Sequence, residues 1–260
     1  MTPDRLDLFA AEMYDLFREH RLTRRHEVPI TELTIADAYD VQDRVIERRR
    51  ADGETPVGWK VGCTSRAVQR QFGLDTPVAA RLMAPSVFES GAVLSVDDFH
   101  GCAIESEFVL RIGTDIDPAR LTDDDLLASI ASVTAGIELH HYTFVHGAPT
   151  AQELIASNAI HAGVVLAEHD HAPVDDLELE GVGTWVDVVL VESAIAAEIL
   201  GAGPLASLRW LARHLDGRGR QVRAGDLVLP GSAVGLVRVA AGSRVVARFT
   251  RLGHCEAVFV

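Results

Sequence analysis

Four residues of this 260-residue chain have the types and spacing for metal or acid–base chemistry: Glu105, Glu107, Glu138 and Lys60. The first two lie in the stretch Cys102-Ala103-Ile104-Glu105-Ser106-Glu107-Phe108-Val109-Leu110-Arg111-Ile112. Its even positions are apolar, with Ser106 the exception, and that period of two predicts a β-strand. Side chains alternate across a strand, so Glu105 and Glu107 share one face. Their Cβ atoms then stand roughly 7 Å apart, at a rise of about 3.3 Å per residue. Two such carboxylates repel unless water screens them or a cation lies between them. The strand alone is compatible with a solvated outer face or with a cation site.

Ala135 to Tyr142 alternates in the same way. Ile137 and Leu139 face one side, Glu138 and His140 the other, so a second strand presents a third carboxylate. Oxygen-only ligation suits a hard cation, Mg²⁺ or Mn²⁺, better than zinc. Three carboxylates leave about three of six octahedral positions for water or substrate, which suits a chelating molecule such as a 2-oxo acid. Lys60 stands out by composition. It is the only lysine among 24 basic residues. Arginine stays protonated at any useful pH, whereas lysine sheds its proton when desolvated, which makes Lys60 a candidate acid–base group as well as a candidate surface survivor.

The other polar residues say less. One of His140 and His141 could support Glu138. His169 and His171 flank Asp170 in a polar loop and read as solvated. His100 and His161 have no evident partner. Gly231-Ser232 follows an apolar run, where an amide or hydroxyl could receive an anion or simply make a turn. There is no GxSxG elbow, and no GxGxxG or P-loop follows a strand. Cys63, Cys102 and Cys255 are odd in number and scattered, so they suggest neither a disulfide framework nor a CxxC site.

The elements that must hold these residues can be read in order. Residues 3–22 predict an amphipathic helix, with Leu6, Phe9, Met13 and Phe17 near helical spacing. Thr34 to Asp37 has the form of a capping box opening a second helix to about Arg50, closed by Gly53. Pro56 to Ser65 predicts a short strand with Val57, Trp59 and Val61 on one face and Lys60 on the other. Ser65 to Phe72 predicts a short helix closed by Gly73. Residues 74–100 read as loop-rich, with short strands near Val87-Phe88 and Ala92 to Leu94. Thr122 caps a helix whose Asp run suits its positive end. Thr150 and Glu153 are spaced as another capping box, and Ser157-Asn158-Ala159 as a turn. Gly163 to Ala167 predicts a strand. Trp185 to Glu192 is near-continuously apolar and reads as one strand buried on both faces. Pro204 to Leu215 predicts a helix, and the remainder is strand-rich. That order predicts an α+β fold around a mixed, mostly antiparallel sheet system, with 1–55 as an N-terminal helical cap and 56–260 as the catalytic domain.

A hydrophobic content of 48% fits a sizeable core, and a net charge of −14 argues against nucleic-acid binding. No run of about 18 apolar residues predicts a membrane span. The first residues lack a signal-peptide pattern. A soluble cytoplasmic protein is the expectation.

At this point the residues resemble a known family. Gly58-Trp59-Lys60-Val61-Gly62-Cys63-Thr64 is similar to the Gly-x-Lys-(Ile/Val)-Gly-x-Thr segment of the 2-keto-4-pentenoate hydratases and 4-oxalocrotonate decarboxylases. Ile104 to Leu110 resembles their Glu-x-Glu metal strand, and Gly136-Ile137-Glu138 the segment with their third carboxylate. Ser157-Asn158-Ala159 lies where the family has Asp-Asn-Ala. Gly201 to Leu215, Arg223 to Asp226 and Pro230-Gly231-Ser232 resemble its later segments. The similarity runs from about residue 38 to the end.

The resemblance implies a fumarylacetoacetate hydrolase-like mixed β-roll with a small N-terminal helical region. It implies Mg²⁺ or Mn²⁺ on Glu105, Glu107 and Glu138, Lys60 as the proton-transfer group, and Asn158 and Ser232 at the substrate. It implies a homo-oligomeric, metal-dependent lyase of aromatic-compound catabolism that hydrates a 2-hydroxypenta-2,4-dienoate-type acid. Decarboxylation of a 4-oxalocrotonate-type acid or acylpyruvate C–C hydrolysis are the alternatives on the same site, and a non-catalytic partner subunit is a further one. The chain departs from the pattern at Val78 and Ser157, which replace acidic residues, at Ile160, which replaces a small one, and at Trp59, which fills a polar position. These departures leave the metal and lysine core intact and alter the distal pocket.

Overall fold

The computed structural model describes residues 1–18, 32–142 and 149–260. In chain order the helices are α1 (Pro3–Arg18), α2 (Ile35–Ala51), α3 (Arg66–Phe72), α4 (Asp123–Ser129), α5 (Ala151–Ala156) and α6 (Pro204–Asp216). The strands are β1 (Pro56–Gly62), β2 (Val78–Met83), β3 (Val87–Glu89), β4 (Ala92–Leu94), β5 (Cys102–Ile112), β6 (Ile130–His141), β7 (His161–Leu166), β8 (Gly181–Val186), β9 (Val189–Ile195), β10 (Leu227–Leu229), β11 (Val237–Arg238), β12 (Arg244–Phe249) and β13 (Gly253–Phe259). The last four residues of the helix expected over 3–22 lie outside the described residues.

Two sheets form the body. The larger runs β2-β1-β10-β5-β6-β7-β3, with β11 also on β5, and the smaller runs β4-β13-β12-β8-β9. The pairs β1–β10, β3–β7 and β4–β13 are parallel and the rest antiparallel. The mixed α+β reading therefore holds. The even face of β5 is the inter-sheet core: Ile104, Phe108, Leu110 and Ile112 pack with Val245, Ala247, Phe249 and Phe259. Phe108 meets Phe249 edge-on, with centroids 4.9 Å apart. Ser106, the polar exception on that face, hydrogen-bonds Thr184 of the opposite sheet at 2.7 Å, which satisfies both buried hydroxyls. The odd face of β5 is left for Glu105 and Glu107.

The N-terminal helices pack on the outside of β2. Thr34 and Asp37 form the expected capping box of α2. Leu6, Phe9 and Met13 of α1 bury against Val41 and Val45 of α2 and Ala156 of α5. Gln42 of α2 is buried and donates to the carbonyls of Ala79 and Ile155, tying α2 to β2 and α5.

Two expectations change. Residues 74–100 are not mainly loop, because Val78–Met83 forms an almost wholly buried strand beside β1. Burial on both faces erased the alternation that would have marked it. Trp185 to Glu192 is not one doubly buried strand. It is a hairpin, with Val186 paired to Val189 and Asp187 at φ 55° between them. Asp tolerates that left-handed conformation, and its carboxylate accepts the amide of Arg244. Val189, Leu190 and Val191 of β9 are exposed on the sheet edge.

Candidate active site

Strand register assembles the site. Glu105 stands opposite Glu138 across β5–β6, Glu107 opposite Gly136, and Ala103 opposite His140. On the other side β5 pairs β10, which pairs β1 in the register Lys60 to Leu229. Gly58 permits that approach, since a Cβ there would stand 1.9 Å from the Leu227 carbonyl oxygen. Lys60 is thus carried to the glutamates by backbone pairing, and three elements distant in sequence converge.

Glu138 is the hub. Its Oε1 lies 3.1 Å from Lys60 Nζ and 2.7 Å from His161 Nδ1. Its Oε2 is buried and accepts no hydrogen bond. His140 Nε2 lies 3.1 Å from Glu105 Oε2 and 3.6 Å from Glu138 Oε2, but neither ring nitrogen makes an aligned hydrogen bond. Glu107 Oε2 accepts the amide of Gly231 at 3.0 Å. Gly231 is required there: its φ is +102°, and a Cβ would stand 2.4 Å from Thr64 Cγ2.

The charges are strongly perturbed. Burial, with Glu138 and Glu105 beside it, pushes the Glu107 carboxyl well above the usual carboxylate range. Glu138 is held well below that range: burial opposes its charge, but Lys60, His140 and His161 outweigh it. Lys60 runs opposite to the expectation for a desolvated lysine. Burial works against its proton, yet Glu138, Glu107 and Glu105 raise its affinity above the ordinary value. His161 is lowered, chiefly by burial. His161 was without a partner in the sequence reading and proves to be one of the two donors on Glu138. No local pattern signals it, because the β6–β7 pairing of His140 with His161 brings it there.

These residues fit a hard divalent cation. A buried Glu138 oxygen with no donor, the Glu105 carboxylate and the His140 imidazole form a donor set that a cation would satisfy. One oxygen each from Glu105 and Glu138 and one nitrogen of His140 all lie within 4.8 Å of one another. Glu107 adjoins them through Glu138.

The other sequence candidates fall as follows. Ser232 lines the cavity over the cluster; its hydroxyl donates to the Ser106 carbonyl and accepts the Val234 amide. Asn158 has φ 58° and spends its side chain on both backbone groups of Arg81, while Ala159 and Ile160 after it line the cavity. Val78 lines the cavity, and the Ser157 hydroxyl closes α5 on Leu154. Burial pushes the Cys63 thiol, also on the cavity wall, up to about 11.

A two-sheet mixed β-roll with such a cluster on its strands is the fumarylacetoacetate hydrolase fold. Fumarylpyruvate hydrolase from Pseudomonas aeruginosa, in complex with Mn²⁺ and pyruvate, superposes with a TM-score of 0.61 at 17% identity over 79% of this chain and 89% of its own, a likeness of fold. No family model matches the chain. The "TodF product hydratase" of Pseudomonas putida is 32% identical over 231 residues, 88% of this chain and 86% of its own. A 2-keto-4-pentenoate hydratase of Burkholderia vietnamiensis is 30% identical over 224 residues, 85% of each chain. The structure of 4-oxalocrotonate decarboxylase from Pseudomonas putida G7, complexed with magnesium and adipate, matches with a TM-score of 0.93 at 26% identity, covering 100% of this chain and 99% of its own. The chain belongs to the family of 2-keto-4-pentenoate hydratases and 4-oxalocrotonate decarboxylases.

Proposed function

We propose that this protein is a metal-dependent hydro-lyase that adds water to a 2-hydroxypenta-2,4-dienoate-type acid in aromatic-compound catabolism. The observation that carries this reading is that Glu105, Glu138 and His140 offer donor atoms within 4.8 Å of one another, with the chain's only lysine paired to Glu138 and Glu107 beside it. Glu105, Glu107 and Glu138 would hold Mg²⁺ or Mn²⁺, with His140 alongside. The ion supplies Lewis acidity at the carboxylate and 2-oxygen of the bound acid.

The chain's own groups do the rest. Lys60 enters protonated and gives a proton to C5 of the dienol while the 2-hydroxyl proton leaves and returns to the lysine, so that a conjugated 2-oxo-3-alkene forms and Lys60 is reloaded. Water then adds its oxygen to C4 and a proton reaches C3, giving a 4-hydroxy-2-oxo acid. Glu138 holds the lysine ammonium within reach, and His161 fixes the orientation of Glu138. Ser232 lines the cavity that would receive the acid. The apolar walls keep bulk water off the enol.

Decarboxylation on the same site is the second reading, supported by the close match to a 4-oxalocrotonate decarboxylase. Loss of 2-hydroxypenta-2,4-dienoate absorbance on adding protein with Mg²⁺, without carbon dioxide release, supports hydration. No turnover of any dienoate refutes it.

Among the described residues no helix is long and apolar enough to cross a membrane. The reading includes a cytoplasmic homo-oligomer. The exposed apolar edge of β9 supports self-association, since such edges are usually covered. A monomeric mass by light scattering would refute that part.

A further inference from the structure

The carboxylate cluster opens into a cavity of about 720 Å³, within the range of small-molecule sites. One wall of it is continuous and apolar. Val78, Leu154, Ala159 and Ile160 line the cavity and belong to one buried cluster, with Cys63 and Phe72 packed against it. That wall begins beside the proton-transfer group. Lys60 Nζ and Val78 Cγ2 lie 3.2 and 3.3 Å from the point where a Cβ on Gly62 would stand. A molecule held at the glutamates beside Lys60 has room to extend its far end along Val78, Leu154 and Ile160.

The charge on this wall matters as much as its shape. Among the described residues, the cavity lining contains one lysine, Lys60, one arginine, Arg238, and one histidine, His140, which stands with the glutamates. Lys60 is paired with Glu138. Arg238 sits on β11, opposite Ala103 of β5, with its guanidinium 4.9 Å from the centre of the Tyr142 ring. Val78 lies on β2 at the sheet edge, with β1 and β10 between it and β5, which carries Glu105 and Glu107 and pairs the β11 strand of Arg238. No cation among the described residues faces the wall beyond Lys60. A carboxylate placed there would lose its hydration without a partner, while each methylene placed there gains about fourfold in affinity.

We propose that the substrate's tail is apolar: the site takes 2-hydroxy-2,4-dienoates ending in a short alkyl group and discriminates against those ending in a second carboxylate, with Val78, Leu154 and Ile160 as the specificity-determining side chains. This rests on the 2-oxo-acid reading of the site. It also favours hydration over 4-oxalocrotonate-type decarboxylation, whose substrate carries the second carboxylate.

The test pairs two measurements on the full chain with Mg²⁺. In the first, calorimetry compares saturated 2-oxo acids as ligands. 2-Oxohexanoate is expected to bind more tightly than 2-oxobutanoate, by up to about fourfold per added methylene, and at least tenfold more tightly than 2-oxoadipate, which has the same carbon count and a terminal carboxylate. In the second, kcat/KM is compared for 2-hydroxyhexa-2,4-dienoate and 2-hydroxyhepta-2,4-diene-1,7-dioate, with the alkyl substrate favoured at least tenfold. Phe72→Arg, a half-buried change that adds a cation to the wall, is expected to narrow the 2-oxohexanoate to 2-oxoadipate ratio. Equal or tighter binding of 2-oxoadipate, or preferred turnover of the dioate, overturns the proposal. An intact binding order with no turnover of any dienoate upholds the apolar tail and sinks the hydratase reading instead. Failure of every 2-oxo acid to bind overturns both.

Discussion

Lys60 Nζ lies 3.1 Å from Glu138 Oε1, and the two side chains are 4% and 0% exposed. The chain's one lysine is thus fastened to the carboxylate that stands opposite Glu105 in the strand register. Burial would strip its proton, but three carboxylates prevail and keep it charged. The proposed proton donor is therefore loaded before the acid arrives. Lys60→Met is expected to lower kcat for dienol turnover by about 10²- to 10⁴-fold, the usual span for a positioned proton donor. The variant should still bind Mn²⁺, because it loses no carboxylate. Steady-state absorbance and Mn²⁺ calorimetry read the two effects separately; more than a tenth of the original kcat in Lys60→Met would remove the lysine from the mechanism.

Glu107 takes its place through the Gly231 amide, and Gly231 cannot carry a side chain without displacing Thr64. Gly231→Ala is expected to weaken Mn²⁺ binding about 10- to 100-fold, as the loss of a partner that orients a ligand does. The φ of +102° adds strain, about 1–2 kcal/mol for a residue with a Cβ. Glu107→Gln keeps the shape and removes the charge, and should weaken the ion as much or more. Unchanged Mn²⁺ affinity in both variants would exclude Glu107 from the ligands. With the original chain, Mg²⁺ at a hundred times its Kd should add about 2.7 kcal/mol of stability, visible as a rise in Tm that a chelator reverses.

The parts of this structure legible in the sequence are those whose signals are local. The alternation over 102–112 gives β5 its bounds, and the hydroxyl caps at Thr34, Thr122 and Thr150 each accept the expected amide. What escaped depends on distant partners. Val78–Met83 has no alternation because both its faces are covered, Val78 and Ala80 by the cluster with Tyr39 and Ile155 and Ala79 by the main core, so only the assembled fold identifies it as a strand. The turn at Asp187 hides in a run of valines, where one tolerant residue marks the reversal. His161 reaches Glu138 through a strand pairing that no short window contains. The direction in which Lys60 is perturbed has the same kind of origin. Burial is a local inference, whereas the three opposing carboxylates come from two other strands.

Gln42 offers a test of how the N-terminal helices are held. Its side-chain amide donates to the Ala79 carbonyl at 3.0 Å and to the Ile155 carbonyl at 2.8 Å, both in the interior. Gln42→Leu preserves the bulk and strands both acceptors. A buried acceptor without its donor costs about 1–3 kcal/mol, so the variant should lose about 2 kcal/mol or more, read from urea midpoints. Ala79 adjoins Val78 of the cavity wall, so affinity for 2-oxohexanoate should fall as well. An unchanged midpoint would mean that the α2 attachment rests on apolar packing alone.

His214 gives the fold a pH dependence separate from the metal cluster. Its ring lies between Tyr39 of α2 and Trp210 of its own helix, with centroids 4.8 and 4.9 Å away. Burial, helped by the charge of Arg218 and opposed by Asp43, lowers its pKa from 6.5 to about 4. The unfolded chain therefore binds this proton more readily than the folded one between those values, and stability falls as pH falls through that window. Above about pH 6.5 the contribution is fully present, and below about pH 4 it is gone. His214→Phe keeps an aromatic ring between Tyr39 and Trp210 and removes the titration. Urea midpoints taken from pH 7 down to pH 4 should therefore fall less steeply in the variant, whatever the other groups contribute to both proteins. If the two profiles run parallel, the proton on His214 is not linked to folding and its burial between the two helices is weaker than the ring geometry implies.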